Sequence, residues 1–246
     1  MEITERLNEC ICVFGGPEEM SRRAAETFFE AAERNIREKG RFTIALSGGK
    51  TPEMFYELLG AEYADKIEWS KVHVFWGDER CVPPESPESN YNMAARALLS
   101  KIKIPDKNIH RIKGEDEPAS AAIAYEEELR GHFGLKAGEA PAFDMVLLGL
   151  GEDGHTLSIF PGTKAGFEEE ERLVIDTYEE KKKAHRVTMT LKTVNNASIA
   201  LFLVSGREKA GILREVLRGT EGACPARMVR PGKLIWLVDK DAASRL

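Results

Sequence analysis

Short apolar runs rich in β-branched residues alternate along this chain with segments of helical periodicity. The run Phe42–Leu46, for example, follows a helical pattern over residues 17–39, with Pro17 near its start and Gly40 as its predicted stop. When strands and helices alternate in this way, right-handed crossover connections bring the strands side by side in a mainly parallel sheet. We therefore predict an α/β fold: one doubly wound domain spanning residues 1–246, with helices on both faces of a mainly parallel sheet.

The same patterns give the remaining elements. Strands are predicted at residues 11–14, 42–46, 72–76, 145–148, 173–175, 187–191, 199–204 and 234–238. Further helices are predicted at residues 90–100, 118–131 and 207–217, and one is opened by Thr51-Pro52. The most linker-like stretch, residues 164–171, is too short to separate two domains and is predicted to be a solvated loop.

The charge balance limits the classes of partner. The chain has 35 Lys+Arg and 41 Asp+Glu, a net charge of −6, and no basic block. This composition argues against nucleic-acid or anionic-membrane binding. An anionic ligand would therefore have to be held by a local cluster of cations and backbone amides.

Several features indicate a cytoplasmic protein. No segment approaches the roughly 18 apolar residues of a membrane span, and the charged start Met1–Glu9 does not resemble a signal peptide. Four cysteines in a chain of this length do not form a disulfide framework. We therefore expect a reduced, cytoplasmic protein. We also expect a monomer, because no apolar stripe remains once the core has been assigned.

Glycines follow the strand Phe42–Leu46, in the loop Ser47-Gly48-Gly49. Two glycines allow a tight turn that exposes backbone amides, and Thr51 is a candidate cap for a helix beginning at Pro52. A helix N-terminus in such a loop favours an anion. The loop is either a phosphate or sugar cradle or an ordinary strand-to-helix turn.

Three consecutive charges, Asp78, Glu79 and Arg80, follow the predicted strand at residues 72–76. In a doubly wound sheet, ligands bind beyond the carboxyl ends of the strands. These residues are therefore candidates for a site, although a surface turn has the same composition. Ser89 is predicted to cap the next helix.

Residues 149–154 match G-x-G-x-x-G after a strand, and Asp176 lies 22 residues beyond Gly154, as in a dinucleotide-binding site. Three features argue against that interpretation. Glu152 and Asp153 would repel a pyrophosphate, Pro161-Gly162 comes too soon for the long helix that the motif needs, and the motif lies in the middle of the chain.

His155 follows this glycine-rich loop and is close in sequence to two carboxylates, Glu152 and Asp153. A neighbouring carboxylate can orient an imidazole and raise its basicity, which is the arrangement of a general base. We therefore interpret His155 as a candidate base for activating water. Three other histidines have no such setting and are predicted to be structural or solvent-facing: His73, His110 and His132.

Two cations complete the candidate site. Arg186 precedes the predicted strand at residues 187–191, and Lys209 lies at the start of a predicted helix. A lysine in the first helical turn is disfavoured by the helix dipole unless an anion binds there. The alternative for Lys209 is an ordinary solvent-facing lysine.

Seven segments, taken together and in order, resemble the 6-phosphogluconolactonases, within the superfamily that also contains the glucosamine-6-phosphate deaminases. They are LSGGKTP (46–52), GDERCVP (77–83), SNYNMA (89–94), LGLGEDGHTLSIFPGT (148–163), RVTMTL (186–191), SGREKA (205–210) and PARMVRP (225–231). Each segment is modest alone, but together they cover almost the whole chain in the family's order.

The resemblance implies hydrolysis of 6-phospho-D-glucono-1,5-lactone to 6-phosphogluconate in the oxidative pentose phosphate pathway, with no organic cofactor and no required metal. It implies that His155 activates water, and that Asp153 and Glu152 orient the His155 ring or tune the pKa of His155. Asp78 aligns with an acid that faces the sugar ring. The phosphate and ring hydroxyls would be surrounded by Ser47, Gly48, Gly49, Arg80, Arg186 and Lys209.

The chain departs from the family pattern at Lys50, where Ser or Arg is usual, and at Leu157, where Ala is common. Lys50 could add a phosphate contact, and Leu157 is expected to fill the core. The alternatives are an amino-sugar-phosphate deaminase/isomerase, a non-catalytic sugar-phosphate sensor and a dinucleotide oxidoreductase. The deaminases carry an Asn-Glu pair that this sequence lacks, and the sensors carry a DNA-binding segment for which about ten residues before the first predicted strand leave no room.

Overall fold

The computed structural model describes residues 2–6, 8–162, 171–180, 182–219 and 224–246, the first of these segments by its backbone only. Thr163 and all but the last residue of the predicted solvated loop at 164–171 lie outside the described residues.

The described residues form eleven strands and six α-helices. The strands are β1 (Glu2–Arg6), β2 (Glu9–Phe14), β3 (Phe42–Leu46), β4 (Val72–Trp76), β5 (Asp78–Arg80), β6 (Ile109–His110), β7 (Met145–Leu148), β8 (Val174–Glu179), β9 (Ala184–Met189), β10 (Ile199–Val204) and β11 (Lys233–Asp239). The helices are α1 (Pro17–Lys39), α2 (Lys50–Glu62), α3 (Asn90–Ala97), α4 (Pro118–Phe133), α5 (Leu191–Asn195) and α6 (Ala210–Arg218).

Eight strands form a sheet in the order β1-β2-β11-β10-β7-β3-β4-β6. All neighbouring pairs are parallel except β1 and β2. From β3 the chain adds β4 and then β6 on one side, and it then returns to place β7 on the other side of β3. The order therefore reverses between β3 and β7, and this switch point opens a crevice at the carboxyl ends of the two strands. The predicted doubly wound, mainly parallel sheet flanked by helices is confirmed.

A second sheet of three antiparallel strands, in the order β5-β9-β8, lies beyond the carboxyl end of β4. The sequence analysis did not predict this sheet. Its register places Arg80 opposite Arg186. The predicted strand at residues 187–191 is wrong at its end, because the strand stops at Met189 and Leu191 begins α5.

The periodic apolar face of α1 packs against the main sheet and against α2 in the core. Phe28 on α1 packs edge to face against Phe42 on β3, with ring centroids 5.3 Å apart, and against Phe55 on α2 at 6.1 Å. Each such buried aromatic side chain contributes about 1.5–3 kcal/mol through removal of apolar surface from water. Gly40 ends α1 with a φ of 75°, as predicted for a left-handed stop.

Some predicted boundaries are wrong for local reasons. The helix α2 begins at Lys50, and Gly49 occupies its capping position, so Thr51 is not the cap. The predicted helix at 90–100 ends at Ala97 and continues as a short 3-10 turn. The helix predicted from residue 207 starts at Ala210, after another 3-10 turn. The Ser89 cap is confirmed, since its hydroxyl accepts a hydrogen bond from the Asn92 N–H.

Two buried tyrosines hold the strand ends that face the crevice. The Tyr56 hydroxyl accepts from the Ser47 N–H at 3.0 Å and donates to the Ser47 carbonyl at 2.8 Å. The Tyr125 hydroxyl makes the same pair of bonds with Trp76, both at 2.9 Å. One side chain thus satisfies both backbone polar groups of each residue, which would otherwise be buried without partners.

None of the helices in the described segments combines the length and the apolar character needed to cross a lipid bilayer.

Candidate active site

A cleft of about 410 Å³ opens at the switch point between β3 and β7. Its walls come from the loops that follow these two strands, from β5 and β9 of the small sheet, and from the start of α6. It is lined by Ser47, Gly48, Asp78, Arg80, Asn90, Gly149, Leu150, Gly151, Glu152, Asp153, His155, Leu157, Ser158, Phe160, Glu179, Lys182, Arg186 and Lys209.

Nine of the ten residues predicted from the sequence line this cleft. They are Ser47, Gly48, Asp78, Arg80, Glu152, Asp153, His155, Arg186 and Lys209. Gly49 is not among the lining residues and instead precedes α2 at its capping position. The structure brings the predicted residues into one place, and their roles remain predictions.

His155 and Asp153 form a hydrogen-bonded pair in the cleft. The Nδ1 atom of His155 lies 2.6 Å from Oδ1 of Asp153, and the His155 backbone N–H donates to the same oxygen at 3.2 Å. Because an ionised carboxylate only accepts hydrogen bonds, Nδ1 carries the proton and the lone pair of the neutral ring lies on Nε2. About a third of each side chain is exposed, so the ring is accessible to water.

The charge on Asp153 is maintained by this contact. Burial tends to raise the pKa of Asp153, but the hydrogen bonds from the ring and backbone of His155 outweigh burial, and the pKa lies below its ordinary value. Asp153 is therefore ionised at neutral pH. An ionised partner at Nδ1 fixes the tautomer and the orientation of the His155 ring.

The loop backbone explains the glycines around His155. The Gly151 N–H donates to the His155 carbonyl at 2.8 Å, which folds the loop tightly. A Cβ on Gly151 would lie 2.1 Å from His155 Nδ1. Gly154 has a φ of 84°, and a Cβ there would lie 2.4 Å from the Cys224 sulfur. Two glycines of the G-x-G-x-x-G pattern are therefore explained by packing: Gly151 leaves room for the His155 ring, and Gly154 leaves room for Cys224 in the segment after α6.

Asp78 is buried and held from two sides. Its Oδ2 accepts from the Ser158 hydroxyl at 2.6 Å, and its Oδ1 accepts from the Asn90 side-chain amide at 3.3 Å. Asn90 in turn explains Gly48, because a Cβ at that position would lie 1.8 Å from Asn90 Oδ1. Asn90, at the start of α3, thus lies between the first two predicted loops.

The cationic wall is formed by Arg80, Lys182, Arg186 and Lys209. Arg186 is buried and pairs with Glu179 through Nη2, while its Nε atom is buried and makes no hydrogen bond with the described residues. Lys209 lies immediately before α6, where the helix dipole disfavours a cation. The structure gives it no ion pair with any described carboxylate. An anion entering the cleft would give the Arg186 Nε–H a hydrogen-bond acceptor and give Lys209 a counter-charge.

Sequence reasoning missed four polar residues that line the cleft: Asn90, Ser158, Glu179 and Lys182. Asn90 and Ser158 stand in the motifs quoted above, which was the available signal. Glu179 and Lys182 lie in or beside the run of charges at residues 179–183, which has the composition of any exposed turn. Only the pairing of β8 with β9 shows that Glu179 faces the cleft.

The three histidines predicted to be structural or solvent-facing lie together, away from the cleft. Burial, followed by the neighbouring charges, lowers the pKa of His73 and of His132 to about 4. Both rings are therefore neutral at pH 7. The sequence analysis gave no sign of their proximity, because they lie on three separate elements.

The fold and the cleft define an α/β protein whose polar ligand site lies at the switch point of a doubly wound sheet. A family model described as "Glucosamine-6-phosphate isomerases/6-phosphogluconolactonase" matches residues 15–236. The chain belongs to this family.

Individual relatives agree with this assignment. The chain is 44% identical over 215 residues to a 6-phosphogluconolactonase of Nostoc sp., covering 86% of this chain and 87% of that protein. It is 39% identical over 208 residues to the 6-phosphogluconolactonase of Haemophilus influenzae, covering 82% and 86%. The solved 6-phosphogluconolactonase of Trypanosoma brucei superimposes with a TM-score of 0.87 at 34% identity, covering 96% of this chain and 98% of that chain.

Proposed function

We propose that this protein hydrolyses 6-phospho-D-glucono-1,5-lactone to 6-phospho-D-gluconate, a step of the oxidative pentose phosphate pathway. The observation that carries the proposal is the His155–Asp153 pair, which lies in the same cleft as four cationic side chains. A general base and a phosphate-binding wall are the two things that hydrolysis of a phosphorylated lactone requires. Lactone hydrolysis by an activated water needs neither an organic cofactor nor a metal.

In the proposed mechanism, Nε2 of His155 removes a proton from a water molecule as that water attacks the lactone carbonyl carbon. The tetrahedral oxyanion then collapses, and the bond between this carbon and the ring oxygen breaks. The protonated imidazole returns its proton to the departing oxygen, which becomes a hydroxyl. Asp153 stabilises the imidazolium formed in the first step, and Glu152, beside it, adds to the negative field that favours it.

The substrate's phosphate would lie against Arg186 and Lys209, with Arg80, Ser47 and Gly48 around the remaining oxygens. Arg186 and Arg80 sit opposite each other in adjacent strands, so their guanidinium groups are carried by one rigid unit. Asp78, fixed by Ser158 and Asn90, would accept hydrogen bonds from ring hydroxyls. A dianion would thereby be held by a local cluster of cations in a protein of net charge −6.

The same proposal includes the setting of the enzyme. We propose that residues 1–246 act as one domain and as a monomer in the cytoplasm, with a small sugar phosphate as partner and no nucleic acid. The acidic balance of the chain supports the last point.

The test is a coupled assay. 6-Phosphogluconolactone is generated in situ from glucose-6-phosphate and its dehydrogenase, and formation of 6-phosphogluconate is followed with and without the protein. Glucosamine-6-phosphate is run in parallel, with ammonia as the readout. We expect acceleration over the spontaneous opening of the lactone and no ammonia. Release of ammonia would assign the chain to the deaminases instead, and no reaction in either assay would reject the proposal.

Lys209→Ala should chiefly raise KM and leave kcat nearly unchanged. The phosphate is bound equally in the ground state and the transition state, so losing its partner weakens binding without slowing the chemical step. Initial rates over a range of lactone concentrations measure the two constants. Lys233→Ala, at an exposed lysine that starts β11, is the matched control. A fall in kcat alone would place Lys209 at the reacting carbon.

Gly151→Ala should lower kcat by roughly 10- to 100-fold, with the fold preserved. The new Cβ would occupy the position of the His155 ring, which must turn away from its place beside Asp153. Displacement of a catalytic group by about 1 Å can cost as much as 10²-fold. Gly131→Ala on α4 is the control, because nothing lies within 4 Å of a Cβ there. Equal kcat values for the two variants would show that the ring position is unimportant.

A further inference from the structure

Three histidines converge at the edge of the main sheet. His73 is the second residue of β4, His110 ends the edge strand β6, and His132 lies in the last turn of α4. One ring nitrogen from each can be chosen so that all three lie within 4.8 Å of one another. None of the three histidines is among the residues that line the cleft.

The hydrogen bonds of His110 fix where its lone pair points. Its Nδ1 atom lies 2.7 Å from Oε1 of Glu128, so Nδ1 carries the proton and donates to the carboxylate. The Nε2 atom of His110 therefore carries the lone pair, and it lies 3.1 Å from Nδ1 of His73. His110 Nε2 accepts a hydrogen bond from His73 Nδ1, and a metal ion would take the place of that proton. A carboxylate behind the other ring nitrogen is the arrangement commonly found behind metal-bound histidines.

His132 supplies an independent observation. Its Nε2 atom is fully buried and makes no hydrogen bond with any residue that the structure describes. A buried polar atom without a partner lowers the stability of the folded protein. Such an atom beside two other imidazole nitrogens is where a bound cation would supply the missing interaction.

We propose that His73, His110 and His132 form a binding site for a divalent transition metal of the zinc type, with Glu128 as the outer carboxylate. A tetrahedral ion with nitrogens at 2.0–2.1 Å holds its ligand atoms about 3.3 Å apart. The separation of 3.1 Å between His73 and His110 already fits this geometry. Small rotations of the rings would bring the remaining nitrogen to the ion.

The chemistry of the donors selects the kind of ion. Three imidazoles suit Zn²⁺, Co²⁺, Ni²⁺ or Cu²⁺, whereas Mg²⁺ and Ca²⁺ require oxygen ligands. The side chain of His110 is 11% exposed and that of Glu128 is 41% exposed, so the cluster borders on solvent. A water molecule could therefore occupy the fourth position.

Some of the charges around the three histidines oppose the binding of a cation, and others favour it. Arg41 and Lys107 lie close enough to act on the charge of His73, and they oppose a cation. Glu128 and the carboxyl end of α4, where His132 lies, favour one. The bound ion would link β4, β6 and α4, and its expected effect is on stability. This proposal does not depend on the proposed function.

The test is a titration of the purified, chelator-treated protein with Co²⁺, followed by its visible absorption, and with Zn²⁺, followed by thermal unfolding. We expect one Co²⁺ per chain with the intense bands of a tetrahedral site, displaced by Zn²⁺. Zn²⁺ at a hundredfold excess over Kd should raise Tm by roughly 5–10 °C.

Two variants and two controls locate the site. His132→Gln should abolish the Co²⁺ bands. Glu128→Gln, at the exposed rim, should weaken Co²⁺ binding about 10- to 100-fold while the protein stays folded. His185→Gln, an exposed histidine on β9, and His155→Gln, in the cleft, should bind Co²⁺ as the unaltered protein does. The proposal is overturned if the unaltered protein binds no Co²⁺, if Glu128→Gln binds it unchanged, or if His155→Gln removes the bands.

Discussion

Replacing His155 by alanine should lower kcat for lactone hydrolysis by about 10²-fold or more, which is the range for loss of a general base. His155 is the histidine whose Nδ1 lies 2.6 Å from a carboxylate in the cleft, and its Nε2 is the proposed acceptor for the water proton. Without the ring, Asp153 has no base to orient. Steady-state rates in the coupled assay give kcat and KM separately, and KM should change little because the phosphate contacts remain.

His185→Ala is the control for this prediction, since His185 is exposed and its ring contacts only Tyr178 among the described rings. Its kcat should equal that of the unaltered protein. Asp153→Asn is a second test of the His155–Asp153 pair. Because a neutral amide cannot stabilise the imidazolium as a carboxylate does, kcat should fall while the fold stays intact. An unchanged kcat in His155→Ala would reject His155 as the base and leave the cationic wall to be explained separately.

Replacing Glu79 by alanine should reduce the free energy of unfolding by about 3–5 kcal/mol, because several buried donors would lose their acceptor at about 1–3 kcal/mol each. Glu79 is 2% exposed. Its carboxylate accepts hydrogen bonds from the backbone N–H groups of Arg80, Asn90 and Tyr91 and from the Ser89 hydroxyl, at 2.7–3.0 Å. Two of these N–H groups belong to the first turn of α3 and have no partner within the helix.

Urea denaturation measures this loss, with Glu88→Ala as a control at an exposed glutamate in the segment between β5 and α3. Glu88→Ala should stay within about 0.5 kcal/mol of the unaltered protein. Glu79→Gln, which keeps one acceptor oxygen, should fall between the two. If Glu79→Ala were as stable as Glu88→Ala, the buried carboxylate would not be what joins β5 to α3.

The strands and loops of the main sheet could be predicted because their signals are local. Phe42–Leu46, Val72–Trp76 and Met145–Leu148 are mainly apolar runs, each preceded by a charged residue, and the structure gives them the predicted bounds. A strand buried on both faces has such a pattern whatever its neighbours are. The loops that follow these strands were therefore predicted to face one edge of the sheet.

The small sheet could not be predicted, because β5 is only three residues long and its pairing depends on a strand more than a hundred positions away. Glu79 shows the same limit. In the sequence it is one of three adjacent charges, and only the fold shows that it lies beneath the start of α3. Glu179 was missed for the same reason, since its partner Arg186 becomes visible only once β8 and β9 are paired.

The pair formed by Arg186 and Glu179 has a consequence for turnover. A buried guanidinium left without a counter-charge is costly, and Glu179 provides one before any ligand arrives. On the proposed function, the phosphate would approach a guanidinium that is already paired, so the net gain in binding is smaller than for a bare cation. Because Glu179 already pairs with Arg186 when no ligand is bound, departure of the dianionic product would not leave a buried guanidinium without a counter-ion, and product release is eased.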